Sequence, residues 1–257
     1  MVHPSDTLYI EYHCTIRENF AKNMARLEIT KRETKLMEKR FDLPILTYSL
    51  IAINVIAWII AEYYRSKTGF DTVLMWGAKY NLLILAGQYW RFVTPIFLHS
   101  GLAHLAINAY SLYILGPDVE KIYGRLKFII IYLIAGFLGN IASFAFSPHL
   151  SVGASSSIFG LLGALLYLGL KHKELARSAF TINIIMMIAL NIAYGFYEPR
   201  IDNYAHIGGL IGGYLTAFVI GFTGEDTKFN TKKLIALILL IALTVSGILI
   251  GFVQPKL

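Results

Sequence analysis

The feature that most restricts how this chain can fold is a recurring one. Runs of roughly 20 predominantly apolar residues, the length a helix needs to cross a hydrocarbon core roughly 30 Å thick, return again and again. They lie near 43–64, 100–122, 127–147, 154–171, 178–197, 204–222 and 233–253. In lipid every backbone N–H and C=O must be satisfied within the chain, which leaves helices or a closed barrel, and runs this long are helical. Composition agrees: 56% of the 257 residues are hydrophobic, 15% are charged and the mean hydropathy is +0.58, too apolar for a water-soluble fold of this size. The expectation is an all-α, polytopic membrane helix bundle.

Charge then orients the bundle. The formal charge of +7 could point to nucleic acid, but eight of the 23 Lys and Arg lie between Arg17 and Arg40, ahead of the first apolar run. Counted on alternate sides of the expected spans, 17 basic residues fall on the side of the N-terminus and 6 on the other. The positive-inside rule therefore predicts a cytoplasmic N-terminus in a multi-pass protein of the cell membrane, with lipid rather than nucleic acid as its surroundings. Residues 1–42 read as a basic cytoplasmic segment, 43–222 as a six-span core, and 223–257 as a linker with a seventh span. Met1–Tyr9 holds no apolar stretch with a cleavage site, so membrane entry is expected to begin later. One cysteine, Cys14, excludes an intrachain disulfide framework and a cysteine-rich metal cluster.

The second run is the least regular. Pro95 and Ser100-Gly101 interrupt it, so its helix is expected to start at Ser100 as N-cap. Residues 65–99 then form a long first loop, whose Trp76, Tyr80, Tyr89 and Trp90 suit a segment lying in the membrane interface. At the far end of the same span, Leu115-Gly-Pro-Asp-Val-Glu120 reads as a tight turn with charge pairing.

Polar groups inside spans are costly, so they mark candidate sites. Ser151-Val-Gly-Ala-Ser155-Ser-Ser-Ile-Phe-Gly160 opens the fourth span: Gly153 allows a turn, Ser155 stands at the helix start, and the first-turn N–H groups are free to meet an anion. Ala205-His206-Ile-Gly-Gly-Leu-Ile-Gly-Gly213 opens the sixth span from the same side, which places His206 at the depth of Ser155. Gly209 and Gly213 line one face and permit another helix to approach closely. An imidazole on that face is the usual base for a serine nucleophile. On the second span His104 and Asn108 stand one turn apart, about 6 Å and about 12 Å beyond Ser100 at 1.5 Å per residue, as candidate donors to a developing oxyanion. His99 is a further candidate at that edge.

Taken in order, Trp90-Arg91, His104 with Asn108, Gly153-Ala-Ser155, and Ala205-His206 with Gly209 and Gly213 resemble the rhomboid family of intramembrane serine proteases, over a stretch from about Trp90 to Phe222. The resemblance implies a six-helix core with an extra C-terminal helix. It also implies a serine endopeptidase with Ser155 as nucleophile and His206 as base, acting as a dyad near the outer membrane face. His104, Asn108 and His99 would serve the oxyanion, with Gly153, Phe159, Trp90, Arg91 and Gly209 in support. Substrates would be transmembrane proteins entering past the fifth span, and no cofactor is implied. Ser156 departs from the family's usual glycine after the nucleophile and is the fallback; Ser157 lies almost half a turn further round. The alternative is a non-proteolytic rhomboid-like membrane-protein binding or chaperone function. A metal site built from His99, His104 and His206 lacks a carboxylate partner or a His-Glu-x-x-His spacing. A transporter lacks a charged residue in mid-span.

Overall fold

The computed structural model of the chain describes residues 43–225 and 228–253, so the expectations for residues 1–42 fall outside the described residues. Seven long helices follow one another: α1 Ile45–Thr68, α2 Leu102–Tyr123, α3 Arg125–Phe146, α4 Ser155–Lys171, α5 Ala179–Tyr197, α6 Asn203–Ile220 and α7 Thr231–Val253. Among the described residues there is no strand, only one antiparallel bridge between Lys79 and Ser151. The chain is an integral, multi-pass membrane protein.

By length and composition α1, α3, α5 and α7 are apolar enough to cross a membrane. The other three have different constraints. α2 carries Pro117, Asp118, Glu120 and Lys121; α4 has only 17 residues, about 26 Å at helical rise; α6 contains His206 and four glycines. A helix surrounded by protein needs no continuous lipid-facing apolar surface, and α4 is buried along nearly its whole length.

Close backbone approach holds α4 to α6. A methyl group on Gly209 would lie 2.7 Å from the Ser156 carbonyl carbon, and one on Gly213 would collide with the Gly160 backbone. Gly139 of α3 faces Ser156 Cβ and the Ala205 carbonyl in the same way. Without a hydrophobic driving force between helices in lipid, such small-residue faces supply the contact area that dispersion needs. The apolar core around them is built from Leu112 and Val119 of α2, Phe128, Ile131 and Tyr132 of α3, and Leu161 and Leu165 of α4.

Three expectations from the sequence are corrected here. α2 starts at Leu102 with Gly101 before it and no side-chain cap, so Ser100 is not its N-cap; instead the Ser100 hydroxyl lies 3.1 Å from His104 Nδ1. Leu115–Glu120 forms no tight turn, because α2 runs through Pro117 and ends at Tyr123 before Gly124. Gly116 is the place where Thr47 of α1 crosses α2 closely. Glu120 is buried and serves chiefly as the cap of α1, accepting from Leu46 N at 3.1 Å and from Thr47 N and Thr47 Oγ1 at 2.8 Å. A carboxylate at those orphan N–H groups also complements the helix dipole. Charge pairing is secondary, with Arg125 Nε at 3.8 Å.

The first loop is folded rather than merely interfacial. It contains one-turn helices at Thr72–Trp76 and Asn81–Leu85 and 3-10 turns at Tyr89–Phe92 and Thr94–Phe97. Arg91 is buried, with its guanidinium bonding to the Leu74 and Ala78 carbonyls at 2.9 and 2.6 Å and to Gln88 Oε1 at 2.8 Å. Lys79 is buried too, and its ammonium donates to the Ser147 and His149 carbonyls, both at 2.8 Å. These bonds tie the loop to the α3–α4 connection, immediately before Ser155.

Candidate active site

α4 begins at Ser155 because the chain reverses at Gly153, whose φ of 117° suits glycine alone. Two long-range bonds fix the approach. Gly153 N donates to the Pro95 carbonyl at 2.9 Å, and Lys79 and Ser151 exchange backbone hydrogen bonds at 2.9 and 3.0 Å. The first loop therefore sets where the serine stands.

His206 lies in the first turn of α6. Asp202 caps that helix, accepting from Ala205 N at 3.1 Å and from the Ser143 hydroxyl of α3. With the α4–α6 contact at Gly209, this puts His206 Nε2 3.0 Å from Ser155 Oγ. The imidazole stacks on Phe159, with centroids 4.2 Å apart and planes 13° from parallel. Its other nitrogen, Nδ1, is buried with no hydrogen-bond partner among the described residues, and the Asp202 carboxylate is engaged elsewhere. Among the described residues, the serine and the imidazole are hydrogen-bonded with no carboxylate bonded to Nδ1.

The other hydroxyls face differently. Ser156 is buried at the crossing of α3, α4 and α6, against Gly139 and Gly209. Ser157 is buried against Gly136, its hydroxyl without a hydrogen-bond partner among the described residues. Ser155 alone of the three is partly exposed and beside the imidazole.

His104 and Asn108 of α2 converge on the same turn. A methyl group on Gly153 would lie 2.7 Å from His104 Cε1 and Nε2 and 3.7 Å from Asn108 Nδ2. The Asn108 amide donates to the His104 carbonyl one turn earlier at 2.9 Å, which leaves one of its two N–H bonds for another acceptor. His99 packs edge-on against His104, with ring centroids 5.2 Å apart. Burial, then the neighbouring His104, pushes His99 down to about 3, so its ring is neutral at physiological pH. Trp90 is more than half exposed and, like Arg91, belongs to the folded first loop. Among the described residues no three His, Cys, Asp or Glu side chains are grouped to hold a metal ion.

Sequence reasoning missed Lys79, Asp202 and Pro95 as elements that position the site. Asp202, just ahead of Asn203-Tyr-Ala205, carried a readable capping signal; the other two act through partners distant in sequence.

Fold and site together define a multi-pass helical membrane protein with a serine–histidine pair recessed at one end of the bundle. Comparison with known proteins agrees: a family model described as the Rhomboid domain matches residues 86–223. The rhomboid protease GluP of Bacillus subtilis is 41% identical over 240 residues, covering 93% of this chain and 47% of GluP. YdcA of the same species is 32% identical over 181 residues, 68% of this chain and 88% of YdcA. RHOMBOID-like protein 9, chloroplastic, of Arabidopsis thaliana is 38% identical over 149 residues, 56% of this chain and 34% of that protein. This chain belongs to the rhomboid family. It spans about half the length of GluP.

Proposed function

We propose that this chain is an intramembrane serine endopeptidase that cleaves transmembrane proteins near the outer membrane face. The observation that carries the reading is the 3.0 Å contact between His206 Nε2 and Ser155 Oγ at the entrance of two adjacent helices. Nε2 takes the hydroxyl proton as Oγ attacks the peptide carbonyl carbon, and the same proton passes to the leaving amine when the tetrahedral intermediate collapses. A water molecule, deprotonated by His206, then hydrolyses the acyl-enzyme. The oxyanion is met by the Ser155 N–H and by the His104 and Asn108 side chains, each donor worth a few kcal/mol in a site shielded from bulk water. Phe159 holds the imidazole plane in place of a carboxylate.

Substrate reaches the serine laterally past α5. Only a minority of that helix is buried, and Leu190, Tyr194, Phe196 and Tyr197 at its Ser155-side half are exposed. An intact helix hides its peptide bonds, so the cleaved segment must unwind there, which favours substrates with helix-breaking or small residues near one end. The excess of basic residues at the opposite end of the bundle supports an outward-facing site and a cytoplasmic N-terminus.

The test is cleavage of a model transmembrane substrate by the purified, reconstituted chain. Ser155→Ala and His206→Ala are expected to abolish it; cleavage at the parental rate by either variant removes the dyad. Labelling by a serine-directed covalent probe is expected at Ser155, and labelling at Ser156 would reassign the nucleophile.

A further inference from the structure

At the end of the bundle remote from Ser155, about 25 Å away along α4 at helical rise, a cavity of ≈ 430 Å³ opens between α4, α6 and the start of α7. Its apolar wall is aromatic: Tyr167 meets Tyr214 and Phe218 edge-on, with centroids 5.9 and 5.5 Å apart. Its polar wall is basic, formed by Lys171, Lys232 and Lys233.

Lys233 is the informative residue. It sits in the first turn of α7 and is 4% exposed, yet its ammonium has no hydrogen-bond partner among the described residues. A buried cation without an anion or acceptor is costly and is retained only where something else supplies the counter-charge. Among the described residues, Glu225 does not. Glu225 already accepts from Tyr167 Oη at 2.8 Å, Lys171 Nζ at 3.0 Å and Phe222 N at 3.2 Å. Lys171 is thereby neutralised, whereas among the described residues no carboxylate pairs with Lys232, exposed at the rim, or with Lys233, buried within. Asn230, which also lines the cavity, caps α7 by accepting from Lys233 N at 3.1 Å. The remaining first-turn N–H groups of this 23-residue helix add positive potential to the same space.

We propose that this cavity binds a phosphate group, with Lys233 as its buried counter-charge and Lys232 closing over it. Two sources share that chemistry, an anionic phospholipid headgroup and soluble phosphate. The aromatic wall suits the glycerol and upper acyl carbons of a lipid, and basic pockets between helices at a cytoplasmic face are where anionic headgroups are held. Bound there, a phosphate would bridge α7 to the six-helix core. The proposal is independent of the chemistry assigned to Ser155.

The full chain is reconstituted in phosphatidylcholine nanodiscs with or without phosphatidylglycerol, and in phosphatidylcholine with added inorganic phosphate. Thermal unfolding and native mass spectrometry of retained lipid are the readouts. Phosphatidylglycerol is expected to raise Tm and to remain bound in native spectra. Lys233→Met is expected to weaken retention at least tenfold and abolish the Tm shift, yet to be no less stable than the parent in pure phosphatidylcholine, because it removes an uncompensated buried charge. Lys233→Arg keeps binding, Lys232→Met weakens it about fivefold, and Lys67→Met, at the far end of α1, changes nothing. A full shift with inorganic phosphate alone identifies soluble phosphate as the source. Retention by Lys233→Met equal to the parent overturns the proposal. Should that variant fail to fold, equal retention by Lys232→Met and the parent does so.

Discussion

Gly209→Ala tests whether the site depends on backbone contact between α4 and α6. The added methyl would stand 2.7 Å from the Ser156 carbonyl carbon and 3.0 Å from Ser156 Cα, with the carbonyl oxygen nearer still. Carbon atoms at their optimum sit about 3.5–4.0 Å apart. No flexible side chain can give way, so the helices must separate by about 1 Å at this level. Ser156 is the neighbour of Ser155, and Gly209 lies one turn beyond His206, so the displacement falls on the 3.0 Å Ser155–His206 contact and stretches it to about 4 Å, beyond hydrogen-bonding range. Misplacement of reacting groups by about 1 Å costs on the order of 10²-fold in rate. The expected result, in single-turnover cleavage of a reconstituted transmembrane substrate, is a fall of that size in kcat with KM little changed. A loss of about 1–3 kcal/mol in stability accompanies it. Gly212→Ala is the comparison: its methyl would meet the Leu138 side chain at 3.1 Å, a few tenths of an ångström too close, on the α3 face rather than the α4 face. It should retain most activity. Gly209→Ala cleaving within about threefold of the parent, or no worse than Gly212→Ala, would refute the reasoning from close approach.

Further perturbations address the anchors. Glu120→Ala removes the acceptor of three hydrogen bonds that start α1 and should cost about 3 kcal/mol in unfolding titrations, whereas Glu120→Gln keeps part of the cap; a loss under about 0.5 kcal/mol would deny Glu120 that role. Arg91→Lys cannot reach two carbonyls and Gln88 at once, so it should lower stability by about 2 kcal/mol and expose the first loop to limited proteolysis, while an unchanged digestion pattern argues against the anchor. Burial pulls the Lys79 amine down to about 8 despite the nearby Asp202, below its unfolded value of about 10.5. Between those values the unfolded chain holds more protons than the folded one, so stability rises with pH across that window, and below about 8 the folded state carries the full cost of the buried charge. Measured as the stability difference between parent and Lys79→Met, the parent should gain steadily from pH 8 to 10; a flat difference would show that the amine titrates normally.

The candidate groups Ser155 and His206 stand out in the sequence because each sits at a helix start, where a local motif states its own geometry. Gly153-Ala-Ser155 is weak alone and gains its meaning from Ala205-His206 at matching depth and from the His104–Asn108 pair at a four-residue spacing. What stayed hidden are the polar residues whose partners lie far along the chain. Glu120 reads as part of a turn beside Gly116-Pro117, yet it reaches 73 residues back to cap α1. Lys79 reads as loop charge, yet it is fully buried against carbonyls of the α3–α4 connection. Arg91 was legible as a marker beside Trp90, but not as the residue that folds the loop around its guanidinium. The helix count was readable from hydropathy, whereas the distinction between α4, enclosed by protein, and α7, facing outward along most of its length, depends on packing that hydropathy does not encode.

These hidden anchors explain how a site made from three helix starts keeps its geometry without a carboxylate behind the histidine. Ser155 is positioned by Gly153, which hangs on the Pro95 carbonyl, and by Ser151, which pairs with Lys79. His206 is positioned by Asp202, which accepts from Ser143 of α3, and by the ring of Phe159. Ser155 and His206 are thus each held by contacts outside their own helices, the first through the first loop and the second through α3 and α4. The consequence is directional. Loosening the first loop moves Ser155 through Gly153 and Ser151, whereas displacement of α5 reaches the start of α6 through the Asn203 amide, which donates to the Ile192 carbonyl at 3.1 Å, and so acts on His206. Under the proposed lateral entry, the two ends of the 3.0 Å contact therefore answer to different elements, Ser155 to the first loop and His206 to α3, α4 and α5.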